Sequence, residues 1–122
     1  MPRTVKIIRG PDFIRAQPEG RVDVEAAERM LTEIAEVGAG LESFHVLVDI
    51  RHVQGSLQPA ELWRLAEKVA RHRRTFGDRT AILTPLARFD NTRFFALCAE
   101  HRGVNIHAFT SYEAAMEWLL SG

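Results

Sequence analysis

The chain has 122 residues, 46% of them apolar and 26% charged, with sixteen basic side chains against sixteen acidic ones. That length suits one domain of the common ~100–150 residue size, without room for separate catalytic and binding domains. The neutral balance supplies no overall positive field for nucleic acid, and the single cysteine, Cys98, excludes an intrachain disulfide and any Cys-x-x-Cys metal or redox motif.

From the amino terminus, Met1 to Ile8 holds no apolar run of secretion-signal length, and no segment approaches the ~20 apolar residues that span a bilayer. A soluble, cytoplasmic protein is expected. Val5 to Ile8 reads as a short strand ended by Gly10-Pro11, because proline cannot donate to a ladder. A second extended piece over Asp12 to Gln17 is expected to turn at Pro18-Glu19-Gly20. From Asp23 a helix follows, with Val24, Ala27, Leu31, Ile34 and Ala35 on one face and a stop at Gly38-Ala39-Gly40.

Phe44 to Ile50 is the strongest strand, since Val46, Leu47, Val48 and Ile50 form the apolar run of a strand buried on both faces. After the loop Arg51 to Gln58, Pro59 suits a first helical position, and Leu62, Leu65, Ala66, Val69 and Phe76 continue a helical stripe up to Gly77-Asp78. Thr80 to Thr84 is a third buried strand. Asp90 reads as the cap of a helix carrying Phe94, Leu97, Cys98 and His101 on one side, closed by Gly103. Val104 to Phe109 then forms a strand that passes into a helix with Thr110 and Glu113 as a capping box and Tyr112, Ala115, Met116 and Leu119 as its stripe.

Two strands followed by alternating helices and strands imply a single-domain α/β fold. Its sheet is mainly parallel, with an antiparallel amino-terminal edge and helices packed on its faces.

With this order, Val46-Leu47-Val48-Asp49-Ile50, Ala60-Glu61-Leu62-Trp63, Ala81-Ile82-Leu83 and the run Ala108 to Leu119 resemble the SpoIIAA-like branch of the bacterial STAS superfamily. That fold is related to the lipid-binding CRAL-TRIO domains. In its anti-sigma-factor antagonists, a serine in an Asp-Ser-Ser-Gly motif after the central strand is phosphorylated. Here that loop reads Arg51-His52-Val53-Gln54-Gly55-Ser56-Leu57: Ser56 stands in the region and the motif is absent. The resemblance thus implies a regulatory phosphosite at Ser56, and the residues alone read Ser56 as a turn or cap hydroxyl.

Ligands of open parallel sheets settle outside the carboxyl ends of the strands, which directs attention to the loops 51–58 and 85–90. Arg51, Arg88 and the helix start near Pro59 are the expected anion-orienting groups, with His52 and Ser56 beside them, and Phe89, Phe94 and Trp63 are the expected apolar contacts. No Gly-x-Gly-x-x-Gly or Gly-Lys-Ser/Thr phosphate loop is present. Asp49, His52 and Ser56 compose a triad on paper, without the Gly-x-Ser-x-Gly elbow that exposes a nucleophile. The five histidines show no metal-site spacing, so neither a metal nor a cofactor is expected. Arg64, Lys68 and Arg71 share a helix face that suits either a solvated, ion-paired surface or an acidic partner or lipid head. Trp63 and Trp118 lie off their apolar stripes, where an interface role, including a homodimer, competes with packing on the sheet edge.

The reading that results is a non-enzymatic module binding a small amphipathic or acyl ligand, or a membrane surface, near the carboxyl ends of the central strands. The alternative is an anti-sigma-antagonist-like protein-interaction regulator with Ser56 as its switch.

Overall fold

The computed structural model describes residues 4–10, 13–39, 44–72, 76 and 79–121, with side chains from residue 13 onward. Chain order runs β1 (Thr4–Gly10), β2 (Phe13–Arg21), α1 (Val24–Gly38), β3 (His45–Asp49), β4 (Val53–Gln54), α2 (Pro59–Arg71), β5 (Arg79–Leu83), a 3-10 turn (Leu86–Arg88), α3 (Phe89–Glu100), β6 (Ile106–Phe109) and α4 (Tyr112–Leu120). The sheet order is β1-β2-β3-β5-β6, with β4 added to the end of β2. β2, β3, β5 and β6 run parallel, while β1 pairs antiparallel with β2 from Thr4 against Glu19 to Gly10 against Phe13.

Strand alternation sorts the side chains into two cores. Ile14, Val46, Val48, Ile82 and Ile106 face α1, α2 and α3, which close the larger core with Leu31, Ile34, Leu65, Val69 and Phe95. Leu47, Ala81 and Leu83 face the other way, where α4 covers them with Ala115 and Leu119. β3 and β5 are buried on both faces, so the continuous apolar run over Val46–Val48 reflects two cores rather than one.

Several local boundaries differ from the sequence expectations. β2 continues through Pro18-Glu19-Gly20 instead of turning there. Its pairing with β3 ends at Ala16 against Val48, and its pairing with β4 begins at Gly20 against Val53. Gly20 N–H bonds the His52 carbonyl at 3.3 Å; two residues earlier on the same side, Pro18 falls in the gap between partners, where its missing N–H leaves no ladder bond broken. α2 ends at Arg71, and Phe76 is a separate buried residue beyond it. α3 begins before Asp90, which makes no cap bond. On that helix Thr92, Phe95, Ala96 and Ala99 are buried and Phe94, Leu97 and His101 are exposed, a stripe displaced by two positions and so on nearly the opposite face from the expected one. The cap of α4 is Ser111, whose Oγ accepts from Ala114 N–H at 3.2 Å, and Thr110 lies outside it. The expected breaks at Pro11, Gly40 and Gly77-Asp78 lie outside the described residues.

Candidate functional site

The parallel strands direct their carboxyl ends to one edge of the sheet, where the chain from Ile50 to Leu57 crosses between β3 and α2. Asp49, the last residue of β3, has no exposed side-chain surface. Arg51 closes on it: its Nε donates to Oδ1 at 3.0 Å, its terminal nitrogen to Oδ2 at 2.9 Å, and its own backbone N–H to Oδ1 at 3.0 Å. Burial by itself pushes the Asp49 carboxyl up; the Arg51 bonds, with help from Gln17, outweigh it and hold the carboxyl below its usual value. The Arg51 guanidinium is raised in turn, chiefly by its bond to Asp49.

The next turn of the loop is held from the opposite side. Arg88, at the end of the 3-10 turn, donates to the Gly55 carbonyl at 2.9 Å and to the Ile50 carbonyl at 3.1 Å, so one guanidinium bridges both ends of the loop. Its Nε is buried and has no hydrogen-bond partner among the described residues. Gly55 sits at φ +86, and a Cβ there would come within 3.7 Å of the Arg21 guanidinium. This left-handed residue turns the chain so that its carbonyl meets Arg88 while Ser56 is presented to solvent. Ser56 makes no hydrogen bond to any described residue. At the start of α2 the Gln58 N–H donates to Glu61 Oε1 at 2.8 Å, so a carboxylate of the chain already occupies the helix end proposed for an anion.

Behind this loop lies an apolar cavity of about 130 Å³. Val48 and Ile82 floor it, Leu31, Leu62, Leu65 and Phe95 wall it, and Ser56, Arg88 and Asn91 stand at its rim. The hydroxyl of Thr92, also on the wall, donates to Thr84 Oγ1 at 2.9 Å and ties α3 to the end of β5.

Of the expected site residues, Ser56 and Arg88 border this cavity and the other five do not. Arg51 is spent on Asp49. His52 is exposed and contributes its backbone carbonyl to β2. Phe94 is exposed on α3 and its neighbour Phe95 takes the wall position, because the buried face of the helix lies nearly opposite the expected one. Phe89 lines a different groove, between α3 and β6. Trp63 lies on the outer surface, 46% exposed, with the Arg102 guanidinium 4.6 Å above its ring. No hydrogen bond joins Asp49, His52 and Ser56, so the paper triad is not assembled.

Trp118 is no free surface ring. It stacks on His107 at 4.6 Å, meets Phe109 at 5.6 Å and lies under Arg79 at 5.4 Å, and Arg79 also donates to the Trp118 carbonyl and to Ser121 Oγ at 2.6 Å. On the basic face, Arg64 is paired with both carboxylate oxygens of Glu28 at 3.0 and 2.9 Å. That bond holds its guanidinium above its usual value. Among the described residues no group of three or more His, Cys, Asp or Glu side chains is placed to hold a metal ion. Among the described residues no helix is long and apolar enough to cross a membrane.

The Arg88 latch and the cavity walls from β2, α1 and β5 were not foreseen. Periodicity placed the wall residues Leu31, Leu62 and Leu65 on the apolar stripes of α1 and α2, whereas two adjacent phenylalanines, Phe94 and Phe95, leave the wall position of α3 ambiguous.

No protein-family model matches this chain, and no curated protein matches it in sequence. Among solved structures it is similar to an uncharacterised protein of the DUF3478 family with a SpoIIAA-like fold from Shewanella loihica, at 20% identity and a TM-score of 0.61 over 96% of this chain and 93% of that one. It is similar at 13% identity to an anti-sigma factor antagonist from Mycobacterium paratuberculosis, with a TM-score of 0.64 over 98% and 96% of the two chains. A third likeness, at 14% identity with a TM-score of 0.53 over 94% and 96%, is to the anti-sigma factor antagonist SpoIIAA in its unphosphorylated form. Identities this low speak to the fold alone.

Proposed function

We propose, from the SpoIIAA-like fold that the chain adopts over nearly its whole length, that it is a non-enzymatic protein-interaction regulator acting through the loop from Ile50 to Leu57. The observation that carries this reading is the end-to-end likeness to two anti-sigma factor antagonists, which cover 98% and 94% of the chain. The loop has the physical properties a recognition element needs. Arg88 pre-organises it, which lowers the entropy lost on binding, and Ser56 projects from it with a hydroxyl that serves no other described residue. A phosphate there would add about −1.5 to −2 charges to a rigid surface. The partner would be a protein of the anti-sigma-factor class. Affinity capture from the native cell with the wild-type chain, Ser56→Ala and Ser56→Asp, followed by phosphopeptide mapping, tests this. The expected result is one partner retained by wild type and Ser56→Ala and released by Ser56→Asp. Capture of no partner, together with unmodified Ser56, refutes it.

A second reading is favoured by the cavity behind the loop. Its ~130 Å³ suits a ring or a short branched chain, since an apolar cavity of ~150 Å³ accepts benzene and drug-sized ligands need ~300 Å³ or more. A long acyl chain is too large. In this reading the ligand's apolar body fills the cavity and a hydrogen-bond acceptor on it meets the free Arg88 Nε. Native mass spectrometry of freshly purified protein is expected to show a bound mass; a clean apo mass removes the reading.

A further inference from the structure

The last strand of the sheet, β6, has no described strand on its far side. Thr80 N–H bonds the Asn105 carbonyl at 2.9 Å and Thr84 N–H bonds the Phe109 carbonyl at 2.8 Å. Successive residues of a strand turn their backbone groups to opposite sides, so this parity aims the N–H and C=O of Ile106 and Ala108 away from β5. Such an edge is a template for another strand.

Beside it runs a groove formed by Phe89, Arg93, Leu97 and Glu100 of α3 with Ile106, His107 and Ala108 of β6. Arg93, Leu97 and Glu100 are spaced four and three residues apart and share one helix face. Leu97 is 43% exposed. Arg93 is exposed and has no ion-pair or hydrogen-bond partner among the described residues. Glu100 is half-exposed and meets His107 Nε2 at 3.1 Å.

We propose that this strand edge and this helix face form one self-complementary surface through which two copies of the chain associate about a two-fold axis. A two-fold axis requires that a patch pair with its own inverted copy. Along α3 the order cation, apolar, anion satisfies that requirement: inverted, Arg93 of one copy meets Glu100 of the other and Leu97 meets Leu97. β6 satisfies it as well. In an antiparallel pair of β6 strands centred on His107, Ile106 stands opposite Ala108 of the second copy, and each such pair exchanges two backbone hydrogen bonds. An unrelated extended peptide would use the strand edge but would leave the charge order along α3 without a role. The inference is independent of the reading at Ser56, because that loop belongs to a different part of the surface.

Sedimentation velocity of the purified chain over a micromolar to near-millimolar series is expected to show a monomer–dimer equilibrium. Arg93→Glu and Glu100→Arg each set like charges opposite one another and are expected to weaken the dimer about tenfold or more. The double variant restores opposite charges and recovers it. Because Glu100→Arg also removes the His107 contact, Ala108→Pro provides a separate arm: it deletes an outward N–H on an edge strand, where proline is tolerated. It is expected to be monomeric with an unchanged far-UV spectrum. A chain that stays monomeric throughout overturns the proposal. So does a dimer indifferent to Arg93→Glu and Ala108→Pro, or a loss in the single charge variants that the double variant does not recover.

Discussion

Arg51 and Asp49, two residues apart at the carboxyl end of the central strand, satisfy each other with a two-pronged ion pair at 2.9 and 3.0 Å. The carboxylate nearest the loop is thereby locked in its charged form, and the cation nearest it is committed to structure. Asp49's folded value lies below the ordinary carboxylate value, so its contribution to stability is fully present above the unfolded value of ~3.9 and is lost as pH falls through the depressed folded value.

Arg51→Ala removes the guanidinium bonds and leaves Asp49 only the backbone N–H of residue 51 and Gln17. Burial then weighs more heavily, so the carboxyl rises from its depressed folded value and the stabilisation that its charged form supplies at neutral pH shrinks. Urea unfolding from neutral pH to about pH 2 is expected to show the variant less stable by about 3 kcal/mol at neutral pH. The gap to wild type should narrow on acidification. A gap independent of pH would mean that the pair is not what holds Asp49.

Arg88→Ala removes both hydrogen bonds that bridge the loop, to Gly55 and Ile50. The expected cost is about 1–3 kcal/mol, together with faster amide hydrogen exchange confined to residues 50–57. Exchange rates there that match wild type would show that the loop is rigid without the latch.

Phe94 and Phe95 are adjacent and differ in environment, 40% against 8% exposed. Phe95→Ala is expected to lower stability by about 3–5 kcal/mol by enlarging the cavity. Phe94→Ala, on the surface, is expected to stay within about 0.5 kcal/mol. Thermal or urea unfolding of the two variants decides between this helix rotation and the alternative stripe.

Gly20 stands at φ +77 with nothing within 4 Å of a Cβ placed on it. Gly20→Ala therefore meets no steric contact, and its expected cost of about 1–2 kcal/mol is the left-handed backbone alone. A larger loss in urea unfolding would point to a disrupted junction between β2 and β4.

The order and type of the α/β elements were legible because each rests on local pattern. The apolar run at Val46–Val48 and the three-four spacing along α1, α2 and α4 reflect burial that any packing of the chain must satisfy. The site was only partly legible. Ser56 and Arg88 were placed near the carboxyl ends by topology, whereas Arg51 is committed to Asp49 and Phe95 rather than Phe94 lines the cavity. At Pro18 the sequence argued for a turn, and the strand ran on because a change of neighbours left that position without a ladder bond to lose.

By itself, then, the sequence determined the alternation of strands and helices, the central place of β3 and the edge at which loops gather, since these follow from periodicity and chirality within short segments. Only the tertiary structure decided which of two phenylalanines walls the cavity, that Arg88 latches Gly55 across 33 residues, and that Trp118 is clasped between His107 and Arg79. Those outcomes depend on distances between segments remote in the chain, which the rotation of a helix about its axis or a shift in strand pairing changes without altering any local preference.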